Sequence, residues 1–148
     1  MKRMDFFFLI LSFILLGIIL SLGRIEAYDL ITAQEAYDMI SSGQALMIDV
    51  RTLEEYLFVG SPALEAGGDP IAYLISWKVF KGMNEDGTKN LIDNPDFDAL
   101  VEQTFGHDKD QPLILMCGCG IRSTFAAERL ESLGYSEVYE IDNHMKES

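Results

Sequence analysis

Two short apolar runs constrain this chain more than anything else in it. Residues 45–50 read Ala-Leu-Met-Ile-Asp-Val and residues 113–116 read Leu-Ile-Leu-Met. Neither run alternates apolar with polar residues, so each suits a strand buried on both faces, as in a parallel sheet. The segments around them are helical and have readable ends. Thr32 is a good N-cap for residues 33–40, with Glu35 in the capping-box position and Gly43 marking the end. Ala36, Met39 and Ile40 fall on one face of that helix. Thr52 looks like the cap of a short helix through Glu54, Glu55 and Tyr56. Asn94-Pro95 opens a helix over residues 96–105, with Phe97, Leu100, Val101 and Phe105 on one face and Gly106 at its end. A further helix begins at Arg122 or Ser123 and stops at Gly134, and residues 138–141 form a last strand. Strand and helix alternate, so the fold class is α/β with a central, mostly parallel sheet.

Residues 59–95 are less regular. Gly60, Ser61, Pro62, Gly67, Gly68 and Pro70 predict a long loop, residues 71–77 suit either a short strand or a helix, and residues 84–88 form a polar turn. With 148 residues, 49% of them hydrophobic, the chain can bury one ordinary core, so a single domain is expected. The net charge of -13 disfavours nucleic acid or an anionic membrane surface as a partner. Any anionic substrate must therefore be attracted locally, against the field of the whole molecule.

Residues 1–27 read as a separate object. Lys2 and Arg3 precede an almost uninterrupted apolar run over residues 6–22, the layout of a secretory signal peptide, with small residues at Gly23 and Ala27 offering places to cut. The run is also near the lower limit for spanning a bilayer, so an uncleaved N-terminal anchor is the alternative, and membrane contact is expected only in that case. Either way the domain from residue 28 to 148 is expected to be exported: periplasmic in a Gram-negative cell, otherwise secreted or anchored facing outward.

The second apolar run feeds a loop that holds the only two cysteines, Cys117 and Cys119. A cysteine between a strand and a helix sits where backbone N–H groups converge and the positive end of the helix dipole points, which stabilises a thiolate. Gly118 and Gly120 permit the tight loop and close backbone approach that an anion needs. A structural disulfide between positions i and i+2 would close a small, strained ring and constrain almost nothing in the unfolded chain. A zinc site has only His107 and His144 to add to the two thiols, neither at ligand spacing, so no metal is expected. No other cofactor is called for. In an open α/β sheet the carboxyl ends of strands line the site, which brings Asp49 and Arg51 toward Cys117.

Cys117-Gly118-Cys119-Gly120-Ile121-Arg122-Ser123 resembles the active-site loop of the rhodanese family, Cys-x-x-Gly-x-Arg-Ser. Asp49-Val50-Arg51 followed by Glu54-Glu55-Tyr56 resembles that family's strand end and the acidic-aromatic pair after it, and Leu133-Gly134-Tyr135 with Val138-Tyr139 is similar to its closing helix-to-strand segment. The resemblance spans residues 28–141 and implies the rhodanese-like three-layer fold, a central sheet flanked by helices.

It also implies a single-domain sulfurtransferase. Cys117 would take sulfane sulfur from a small anionic donor such as thiosulfate, hold it as a persulfide, and pass it to a thiol, a cyanide-like acceptor or a protein acceptor. Arg122 would stabilise the thiolate or bind the donor, or else is a helix-start residue paired with a nearby acid. The amides from Gly118 to Ser123, through Cys119, Gly120 and Ile121, would cradle the persulfide. Ser123 would cap the following helix or bond the persulfide, and Asp49 and Arg51 would brace the loop as a structural pair. Phosphatases of related architecture use Cys-x5-Arg to fit a tetrahedral phosphate; the Cys-x4-Arg spacing here favours sulfur and leaves a phosphatase or arsenate-reductase reading as a minor alternative. A non-catalytic carrier, sensing or binding module of the same family is the other alternative. Two departures stand out: Val59-Gly60-Ser61-Pro62-Ala63 lacks the histidine usual after the acidic-aromatic pair, and Asp142-Asn143-His144 replaces a usual Gly-Gly turn. Cys119 is either a small residue that fits, or a second thiol that attacks the Cys117 persulfide, releases sulfide and leaves a Cys117–Cys119 disulfide.

Overall fold

The computed structural model describes residues 28–65, 67–106 and 108–142. The apolar N-terminal segment, His107 and the Asn143-His144 departure lie outside the described residues.

Five strands form one parallel sheet. β1 (Tyr28–Ile31), β2 (Leu46–Asp49), β3 (Ala72–Leu74), β6 (Leu113–Met116) and β7 (Val138–Ile141) lie in the order β1-β7-β6-β2-β3. The two apolar runs are neighbours at its centre, with Leu46 opposite Leu113 and Asp49 opposite Met116. Side chains alternate between the faces. Ile48, Val50, Leu113, Leu115 and Cys117 enter one core with Phe97, Val101, Ala126, Ala127 and Leu130, while Met47 and Ile114 enter another with Ala36. Helix α1 (Ala33–Ser41) therefore covers one face, and α3 (Phe97–Phe105) with α4 (Ile121–Ser132) covers the other. This three-layer arrangement explains why both runs are apolar except at Asp49: each buried Met, Ile, Leu or Val side chain in them contributes about 1.5–3 kcal/mol by leaving water.

Local capping fixes two helix starts. Thr32 and Glu35 form a reciprocal capping box on α1, and Thr52 and Glu55 form one on α2 (Leu53–Val59). The face of α1 is as read, with Ala36 buried and Met39 and Ile40 packed beside it. On α3 the outcome is mixed. Phe97 and Val101 are buried and Phe105 packs against them, but Leu100 is 38% exposed, because the stripe that meets the sheet is narrower than the apolar pattern implies.

Two features depart further from the sequence reading. Residues 71–77 resolve as the edge strand β3 and a stretch leading to Trp77, whose ring meets Phe97 edge-on at 5.0 Å. The polar turn joins two strands that the sequence reading did not contain, β4 (Lys78–Met83) and β5 (Lys89–Asp93), which form a separate antiparallel hairpin. Its base is tied to the domain where Asn94 N–H donates to the Trp77 carbonyl at 2.9 Å and Asn94 Nδ2 donates to the Ser76 carbonyl at 2.8 Å.

Candidate active site

β6 delivers Cys117 to the site. Strand alternation places its side chain on the α4 side, in line with Leu113 and Leu115, and leaves the residue 5% exposed. The chain then turns through Gly118 and Cys119, and α4 begins at Ile121. Gly120 is the N-cap, with φ +84, a left-handed conformation that favours glycine. That conformation aims the Gly120 N–H at Cys117 Sγ, which accepts it at 3.0 Å. Burial pushes the Cys117 thiol up, but the Ser123 hydroxyl and the backbone N–H groups of Cys119, Ser123 and Arg122 outweigh it and hold the thiol below its ordinary range.

Ser123 is not a helix cap. Because α4 starts before Arg122, Ser123 is its third residue, fully buried, with Oγ 3.3 Å from Cys117 Sγ, 2.7 Å from the Gly120 carbonyl and 2.6 Å from Glu140 Oε1. Of the two roles expected for it, capping does not fit this position, since Gly120 is the N-cap. Ile121, at the first turn, is 64% exposed.

Arg122 pairs with an acid, and the acid is Glu55. Arg122 Nη1 donates to Glu55 Oε2 at 2.5 Å and Nη2 donates to Oε1 at 2.9 Å, a bidentate bridge from α4 to α2. The bond to Arg122 is the main reason the Glu55 carboxyl falls to about 2; burial opposes it, and the Thr52 N–H adds to it. Glu55 in turn raises the Arg122 guanidinium further above its already high range, with a smaller push from Cys117. Gly118 sits beside this bridge: a Cβ there would come within 3.7 Å of Arg122 Nη2.

Asp49 and Arg51 form a buried pair, Nη2 to Oδ2 at 2.6 Å, and Arg51 Nη2 also donates to the Gly60 carbonyl at 2.7 Å. Neither bonds Cys117. The pair braces the end of α2, the helix that carries Glu55, so its support of the loop is indirect. Two cavities flank the site. One, of about 490 Å3, lies between α2 and the hairpin and is walled by Phe58, Val59, Phe80 and Leu91 with Glu55 and Arg122. The other, of about 280 Å3, is lined by Cys119, Thr124 and Glu140. Cys119 is exposed, and both thiols are free. Among the described residues no three His, Cys, Asp or Glu side chains gather to hold a metal ion.

The model of the rhodanese-like domain family matches residues 32–147. The chain belongs to the rhodanese-like family. An uncharacterised protein of Rickettsia conorii is 33% identical to this rhodanese-like chain over 115 residues, which are 76% of this chain and 80% of that one. A Rickettsia montanensis protein encoded in the dnaA 5′ region matches equally well. Among solved structures, Rv0390 of M. tuberculosis superposes with a TM-score of 0.54 at 31% identity, covering 78% of this chain and 76% of that one. The polysulfide-sulfur transferase homodimer of Wolinella succinogenes shares the fold, with a TM-score of 0.54 at 18% identity over 80% of this chain and 71% of that one.

Sequence reasoning missed two members of this rhodanese-like site. Glu55 was visible as a residue of the short helix after Thr52 and of the acidic-aromatic pair, but neither as the second half of a capping box nor as the partner of Arg122, which is 67 positions away. Glu140 was read only as part of a strand; the signal was an acid at an inward-facing position, two residues after buried Val138.

Proposed function

We propose that this protein is a sulfurtransferase whose nucleophile is Cys117. The Cys117 thiolate attacks the outer sulfur of an anionic donor such as thiosulfate; a sulfur–sulfur bond forms on Cys117, the donor's sulfur–sulfur bond breaks, and sulfite leaves with the electron pair. An acceptor thiolate or cyanide then attacks the outer sulfur of the persulfide, and Cys117 leaves as thiolate. The observation that carries the reading is the Gly120 N–H on Cys117 Sγ at the start of α4, together with a thiol held below its ordinary range although it is buried. Arg122 is the candidate donor-binding cation, presented to the donor while bridged to Glu55.

An exported setting forms part of the proposal, supported by the apolar run over residues 6–22 behind Lys2 and Arg3. The test of the reaction is thiocyanate release from thiosulfate and cyanide, set beside hydrolysis of an aryl phosphate. Turnover of the first without the second is expected. The reverse would make the protein a phosphatase, and neither, with polysulfide also tried as donor, would make it a binding module.

A further inference from the structure

Glu140 is a buried acid, 3% exposed, that the reaction above leaves unused. It stands on β7 in register with Leu115, so it faces α4 next to the strand end that carries Cys117. Its bonded partners are hydroxyls: Ser123 Oγ lies 2.6 Å from Oε1, and Thr124 Oγ1 lies 3.3 Å from Oε1 and 3.1 Å from Oε2. Among the described residues no lysine or arginine forms an ion pair with it.

Counting hydrogens limits what this cluster can be. The Ser123 hydroxyl has one hydrogen and three acceptors around it: Glu140, Cys117 Sγ and the Gly120 carbonyl. The Gly120 carbonyl already accepts the Thr124 N–H at 3.0 Å, so it does not need the serine. If Ser123 donates to an ionised Glu140, it offers a lone pair to Cys117, which must then be a thiol donating to the serine. If Ser123 donates to a Cys117 thiolate, it offers a lone pair to Glu140, which must then be protonated. The two arrangements differ only by one proton step on each side of the serine.

We propose that Glu140 accepts the Cys117 proton through Ser123. The Cys117 S–H proton passes to Ser123 Oγ as the Ser123 proton passes to Glu140 Oε1, so a thiol and a carboxylate become a thiolate and a carboxylic acid with no net charge added to the buried site. The proton stays on Glu140 while sulfur is held on Cys117. When the acceptor removes the sulfur and Cys117 leaves as thiolate, the proton returns by the same path. The other titratable groups that line the cavity with Glu140 are Cys119 in the loop, Tyr28 on β1 and Asp142 after β7; Arg122 on α4 is bridged to Glu55.

The inference rests on Cys117 being the nucleophile of the proposed reaction, but its test does not use sulfur transfer, so the two fail separately. In a Cys119→Ser background, the rate of Cys117 alkylation by iodoacetamide is followed against pH. Two groups that share a proton titrate as a pair, so the profile shows two inflections. Glu140→Gln, which keeps the shape and removes the acid, reduces it to one, and Ser123→Ala does the same by removing the hydroxyl hydrogen-bonded to both groups, through which they are coupled. Thr124→Val, which removes the other hydroxyl on Glu140, keeps both inflections. Thermal unfolding checks that each variant is folded; if Glu140→Gln is not, Ser123→Ala carries the test. A single inflection in the parent, or two that persist in Glu140→Gln and Ser123→Ala, overturns the proposal.

Discussion

Each side chain at the site answers to a different neighbour, and the variants separate them. Glu55, with its carboxyl at about 2, is lowered from its unfolded value by Arg122. A depressed carboxylate contributes stability that is fully present above the unfolded value and is lost as pH falls through the folded one. Unfolding free energy should therefore decline from about pH 4.5 toward pH 2, and Glu55→Gln should flatten that decline when urea melts are compared across the range. An unchanged slope would mean that the bridge to Arg122 contributes nothing in solution. Arg122→Lys keeps the charge but cannot form the two-pronged bridge. It should raise the KM for thiosulfate more than it lowers kcat, and equal effects on both would remove Arg122 from donor binding.

At the scale of elements, the positions that matter are the ends. Thr52→Ala removes one half of the α2 capping box and should cost about 0.5–2 kcal/mol in denaturant melts. Gly120→Ala forces a side chain into a left-handed conformation, at about 1–2 kcal/mol, and turns away the N–H that Cys117 Sγ accepts. The thiol should then titrate higher, which thiolate absorbance against pH would read directly; an unmoved titration would mean that the Gly120 bond does not lower it. Helix ends and buried strands were legible because their signals are local: Thr32 with Glu35, Thr52 before its short helix, and the apolar runs of β2, which ends in Asp49, and β6. β1 was not legible, since its Leu30 is 61% exposed on an edge strand and only pairing with β7 orders it. The hairpin was missed for a related reason. Its strands pair with each other rather than with the sheet, so no burial on a core face imposes an alternating pattern. The loop of Cys117 was readable as a motif, but the bridges that hold it, Arg122 to Glu55 and Ser123 to Glu140, join residues 67 and 17 positions apart. Nothing in the chain marks such pairs until the fold brings them together.

For the whole molecule, charge and architecture make separate predictions. A net charge of -13 repels an anionic donor, so screening by salt should raise kcat/KM for thiosulfate between low and physiological ionic strength. A neutral acceptor should show no such rise, and a fall for thiosulfate would mean that local cations dominate the approach. The hairpin forms its own sheet, so replacing β4 and β5 with a short turn should leave the five-stranded sheet folded while opening the 490 Å3 cavity beside Arg122. The central claim is that this fold prepares Cys117 to carry sulfur. Its most direct measurement is the intact mass of the purified protein after exposure to thiosulfate or polysulfide. The account predicts a one-sulfur adduct that maps to Cys117, is absent in Cys117→Ser, and disappears on adding cyanide or a thiol. A protein that stays unmodified with every donor, or an adduct that survives in Cys117→Ser, would contradict it.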